Sequence, residues 1–228
     1  MQRIHIPSLH RLIFLSILLV SLPAAATALK YRSLSELASA ADAVLQGKVE
    51  DIQSRRLANG TIVTFVTLNN LILHRGEYTS ATFTLVTHGG EVNGLVQKIQ
   101  GAPDFKLSQQ LILFLQGNGE RMVPISGWGQ GMFVINNGKV YDYQLNPVLD
   151  IQDDHIRVDR LSVPDVVLVG APTPPTASLK TTVMTEAQFI QSILRTPKKN
   201  ASRPLRSVES SSFTLPRHNT SEALVKQQ

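Results

Sequence analysis

The chain has 228 residues, no cysteine and a formal net charge of +5, so disulfides, thiolate metal sites and a cysteine nucleophile are excluded outright. Charge is spread unevenly: residues 195–228 carry seven Lys or Arg against two Glu, whereas 29–194 carry 13 basic and 15 acidic residues. A nucleic-acid-binding domain concentrates basic charge on its folded part, so no nucleic-acid partner is expected.

The first 28 residues have the order of a secretory signal peptide. Arg3 and Arg11 precede the apolar run Leu12 to Leu22, Pro23 breaks it, and Ala26 and Ala28 supply a small-x-small cleavage pattern. A spanning helix needs roughly 20 apolar residues, about twice this run, so a cleaved signal is preferred to an anchor. Mature protein is expected to begin near Leu29. No later stretch is apolar for long enough to cross a bilayer. Export without disulfides fits a bacterial envelope better than an animal secretion, and the expected location is periplasmic or secreted.

Residues 33–41 predict one short helix, with Ser33 and Glu36 forming a capping box and Leu34, Leu37, Ala38 and Ala41 on one face. Strand patterns follow. Residues 43–53 alternate, with Leu45, Gly47 and Val49 on one face and Gln46, Lys48 and Glu50 on the other. Asn59-Gly60 makes a hairpin turn into the β-branched stretch 61–72. A turn at Arg75-Gly76 leads to Thr82–Thr87, and Gly89-Gly90 opens a polar loop to about Asp104. Leu111–Leu115 is a run suited to burial on both faces. Asn118-Gly119 turns the chain again, and 121–125, 131–136 and 139–144 complete the strands.

The expected fold is therefore mainly β: a small OB-like closed or partly open barrel over 29–170, with a short N-terminal helix and a C-terminal helix. One or two irregular strands, such as Val166 to Val169, are expected within 150–170. Residues 171–196 read as a Pro-rich linker followed by a short helix from Thr185 to Leu194, with Phe189, Ile190 and Ile193 as its apolar face. Residues 197–228 read as a disordered basic tail.

Motifs with a mechanism are absent. There is no His-Glu-x-x-His, no Gly-x-Ser-x-Gly elbow and no phosphate-cradling loop. No catalytic residue, cofactor or metal ligand set is expected. The cluster Asp150, Asp153, Asp154, His155 and Asp159 lacks the Asp-x-Asp-x-Asp-Gly order of a calcium loop and reads as a solvated turn. His88 is the histidine placed where a strand gives way to a glycine-rich loop. Trp128 sits in the glycine-rich run 126–131 either as core or as an exposed anchor. The candidate partner-binding residues are His88, Gly89, Gly90, Trp128 and Gln130.

Seven pieces of sequence carry a resemblance: Ala41-Asp42, Val44 to Val49 with Gly47, Thr61 to Leu71, Gly89-Gly90, Gly101 to Phe105, Leu111 to Leu115 and Gln130 to Phe133. In this order they resemble a group of exported bacterial domains of unassigned activity. The order of elements is also similar to the OB-type barrel of netrin-like modules and tissue metalloprotease inhibitors. Those inhibitors hold the protease zinc with an N-terminal cysteine, which this chain lacks, so the inhibitory mechanism does not carry over. Ser108-Gln109-Gln110 also stands where the bacterial pattern more often has Gly-Glu. The expectation is an exported noncatalytic module that binds a protein or envelope component through loops 89–104 and 126–131; the resemblance implies a protease-associated variant of that role. A hydrolase using His88 and an unidentified serine, and a structural envelope tether, are the alternatives.

Overall fold

The computed structural model describes residues 29–159, 168–169, 182–197 and 203–215. The expected signal peptide and the Pro-rich stretch 171–178 lie outside the described residues. The fold is mainly β. Its strands are β1 (Leu29–Lys30), β2 (Ala43–Arg56), β3 (Ile62–Arg75), β4 (Phe83–His88), β5 (Gly90–Val92), β6 (Leu95–Gln97), β7 (Gln110–Leu115), β8 (Met132–Asn136), β9 (Lys139–Asp142), β10 (Val148–Gln152), β11 (His155–Val158) and β12 (Leu168–Val169). Helices α1 (Leu34–Ala40) and α2 (Glu186–Arg195) flank them.

Both helices start as local chemistry dictates. Ser33 Oγ accepts from Glu36 N at 3.2 Å and the Glu36 carboxylate accepts from Ser33 N at 2.9 Å. Thr185 and Gln188 repeat this box at α2. The end of α2 is held from outside: Arg75 donates to the carbonyls of Ile193, Thr196 and Pro197, satisfying acceptors a helix leaves unpaired.

Six strands form one antiparallel sheet in the order β4-β3-β2-β7-β8-β9. Register shifts in the β2–β3 pair fall between Val44 and Leu45, Gln46 and Lys48, and Val49 and Asp51. Such bulges bend a strand and increase its twist. The inner face of the sheet accordingly gathers Leu45, Val49, Val66, Leu68, Phe83, Leu85, Leu111, Leu113, Met132 and Val134 into one buried cluster. Among the described residues, neither α1 nor α2 contributes to that cluster. Its lining is completed by Ile99, Phe105, Trp128, Tyr141 and Tyr143.

The outer face has two parts. Val44, Ile112, Phe114, Phe133, Ile135 and Val140 are buried under α1, α2 and the β10–β11 hairpin. The Phe133 ring lies 4.5 Å from that of Phe189 on α2. Val63, Phe65 and Val86 form a smaller cluster with Leu57, Val208 and Phe213.

The sheet is not closed, because β4 and β9 share no ladder. The outer edge of β4 is nonetheless satisfied. Thr84 N donates to Ser207 Oγ at 2.9 Å, Val86 N to Asn118 Oδ1 at 2.9 Å, and His88 N to Met122 O at 2.8 Å. While it is filled in this way, the edge presents no free ladder.

Four expectations differ from what is observed. Residues 121–125 contribute only an isolated bridge from Ile125 to Leu115, because Pro124 lacks the N–H a ladder needs. β9 stops at Asp142, whose carboxylate turns the chain by accepting from Gln144 N at 2.9 Å and Asn146 N at 2.8 Å. The loop 89–104 contains the β5–β6 hairpin, turned by Asn93 and Gly94 at φ of 51° and 76°. Residues 203–215, within the stretch read as a tail, run along β4 with Leu205 buried in the inner cluster. The spacing of Leu205, Val208 and Phe213 anchors them; 198–202 and 216–228 lie outside the described residues.

Candidate functional site

Among the described residues, a candidate site lies where β2, β3 and β4 meet the 96–105 segment on the inner face. Pairing sets Ser54 opposite Thr64 and Thr64 opposite Thr87. Residues directly opposite in a sheet share a face, so the three side chains form a polar row at the rim of the apolar interior. Thr64 Oγ1 donates to Gly89 O at 2.7 Å and lies 2.9 Å from Ser54 Oγ. With the Thr64 proton so committed, Ser54 is the donor of the pair.

The chain leaving β4 then folds back over this row. Gly89 has φ of +93° and Gly90 of +131°. A β-carbon on Gly90 would fall 2.3 Å from Thr64 Oγ1 and 2.5 Å from Ser54 Oγ. Only glycine permits that approach and that backbone. The return strand is pinned by Gln97, whose Oε1 accepts from Ile62 N at 2.8 Å. Between the row and the segment 96–105 a cleft of about 300 Å³ remains, with Ile52, Val96, Ile99, Ala102 and Phe105 as apolar walls and Lys98 and Asp104 among its polar ones.

The sequence-predicted residues fall into two places. His88, Gly89 and Gly90 border the cleft. Strand alternation nevertheless sets the His88 side chain opposite Val63, on the outer face shared with Val86, while Thr87 faces inward. Burial pulls the imidazole pKa below its ordinary value of 6.5, which leaves the ring neutral at pH 7. Ser54 and His88 thus project from opposite faces and do not assemble a nucleophile–base pair.

Trp128 and Gln130 are elsewhere. They lie on a 3-10 turn, Trp128–Gly131, and neither lines the cleft. Trp128 packs partly buried against the inner cluster. The Gln130 amide is spent internally: Oε1 accepts from Arg32 N at 2.8 Å and Nε2 donates to Lys30 O at 2.9 Å. Gly129 lies flat against the Tyr143 ring, where a β-carbon would approach within 2.6 Å.

A second, shallower hollow of about 690 Å³ lies over Lys48, Lys106, Leu107, Gln109, Tyr141 and Leu145. Two of the acidic residues near 150–159, Asp150 and Asp154, are committed to structure. Asp150 pairs with Arg157 through two contacts of 2.7 Å. Asp154 accepts from the Ser33 hydroxyl and from Ser35 N and Oγ at the start of α1. Among the described residues no group of His, Asp and Glu is arranged to hold a metal ion, and no helix is long and apolar enough to cross a membrane. The cleft sets hydroxyls, an amide and the charged Lys98 and Asp104 among apolar walls. No protein-family model, no curated protein and no solved structure matches this chain.

Proposed function

We propose that the chain is an exported, noncatalytic binding module that holds a protein or envelope component at the cleft between the β2–β4 ends and the 90–105 segment. The observation that carries this reading is the β5–β6 hairpin beside the cleft, which leaves Leu95 49% and Val96 65% exposed. Val96, a wall of the cleft, is thus an apolar contact point held at the surface by a pinned hairpin. The scaffold reading is an OB-like, partly open barrel. Its support is the bent sheet whose inner face forms one core, with the β4 edge bridged by Asn118 and Met122. The likeness to netrin-like modules suggests the same class of role without the inhibitors' zinc-binding cysteine.

Export rests on the N-terminal sequence, and the location proposed is the periplasm or medium of a bacterium. The mature protein starts near Leu29, which mass spectrometry of the native form measures directly. Binding is tested with a photo-crosslinking amino acid at Val96 of the full chain in its host. A discrete adduct is expected there. The control is position 138, a glycine with nothing near its would-be β-carbon. No adduct at 96, or the same adduct at both positions, overturns the reading.

A further inference from the structure

The outer edge of β4 and the small apolar cluster beside it form a second interaction surface, on the opposite face from the cleft. Residues 203–213 occupy it as a peptide would. Val208 N donates to Thr84 O at 3.0 Å and Ser207 Oγ accepts from Thr84 N. Asn118 Nδ2 donates to Arg206 O at 2.8 Å while its Oδ1 holds Val86 N. Arg55 Nη2 donates to Phe213 O at 2.9 Å, with its guanidinium 5.2 Å from the Phe65 ring centre.

Side-chain recognition is equally specific. The Phe213 ring meets Phe65 edge-on at 5.7 Å. Val208 and Phe213 both pack where Gly119 presents no side chain; a β-carbon there would lie 3.2 Å from Val208. The segment crosses the sheet edge, with Leu205 buried in the inner cluster and Val208 and Phe213 packed, partly buried, against the outer one. Main-chain hydrogen bonds to a strand edge, with pockets for spaced side chains, are how extended peptides are recognised.

We propose that this edge is a peptide-recognition groove for an extended Leu-x-x-Val-x-x-x-x-Phe segment. Residues 205–213 are its resident ligand, and the same segment of a second copy of the chain is the partner it takes in trans. Every recognition group named above belongs to the body of the fold, so the resident segment differs from a free peptide only in being tethered. A short tether gives an effective concentration of the order of millimolar, which masks the groove while the resident segment fits.

The test uses the full chain carrying Val208→Asp and Phe213→Asp, and a fluorescent synthetic peptide of residues 203–215 standing for the second copy's segment. Saturable binding to the variant, at least about ten-fold tighter than to the wild type, is expected from the lost intramolecular competition. The outcome that overturns the proposal is absence of saturable binding to a variant whose circular dichroism matches wild type. Equal binding of a peptide bearing the same two aspartates also overturns it. Should the double variant not fold, Phe213→Ala alone is used. Unfolding of both variants overturns the proposal too, because the segment is then integral core and not a ligand.

Discussion

Gly90 sits where the main chain passes within contact distance of two hydroxyls. A methyl group there has no room between Thr64 Oγ1 and Ser54 Oγ, and φ of +131° adds backbone strain. Gly138 is the natural control, since its φ is +67° but nothing lies near it. Gly90→Ala is expected to destabilise the fold by about 1–3 kcal/mol, the scale of a steric and conformational misfit, and more than Gly138→Ala does. Urea unfolding of both variants measures the difference. Equal losses would mean that the close approach over Ser54 and Thr64 contributes nothing.

Elements here owe their ends to residues far away as often as to their neighbours. Helix α1 has only seven residues, too few to persist on propensity alone. Asp154, at the turn between β10 and β11, accepts from Ser35 N at 3.0 Å while Leu34 N donates to Asp154 O at 3.0 Å. Asp154→Ala is expected to cost about 1–2 kcal/mol, as loss of an N-terminal helix acceptor does, and to lower the thermal midpoint. A midpoint equal to wild type would assign the helix start to Ser33 and Glu36 alone. The two capping boxes and the Asn59-Gly60 and Asn137-Gly138 turns were legible because each is written within a few residues. Asn93-Gly94, between Val92 and Leu95-Val96, is an equally strong turn signal, obscured because the strands it joins have only three residues each.

The polar row of the cleft was not legible, for a reason that lies in β2. Simple alternation from Leu45 puts odd-numbered residues inside throughout. The irregularity between Val49 and Asp51 changes the phase, so that Ile52 and Ser54 pair with Val66 and Thr64 on the inner face. A bulge of this kind has no signature in an isolated sequence beyond the strand's length. Gly89 and Gly90, by contrast, stood out because no other residue type supplies their conformations.

At the scale of the whole molecule, stability is tied to pH through two half-buried imidazoles. His74 Nε2 lies 2.9 Å from Gln46 Oε1, and Gln46 Nε2 donates to Glu186 at 2.7 Å, linking β3, β2 and α2. Burial lowers the His74 pKa, with Glu186 opposing the shift, and burial lowers that of His88. The unfolded chain therefore binds protons more readily than the folded one below an ordinary pKa of 6.5. The contribution is complete above that value and is lost as pH falls through it toward the folded values. Glu36 is shifted downward from 4.5 and acts in a lower range. The urea midpoint is expected to drop between about pH 7.5 and about pH 5.5, and to drop less in His74→Gln/His88→Gln. A wild-type profile that is flat across this window contradicts the assignment.

The clamp that Gln130 closes on Lys30 and Arg32 has a temporal side. Tyr31 OH accepts from Ile156 N, Ser35 leans on Asp154, and Leu29 pairs with Leu168. The nearest of these partners along the chain is 98 residues away. A ribosome makes residues 29–35 long before these partners exist. Their contacts form only when residues some hundred positions later are present, so completion of this part of the fold waits on distant sequence.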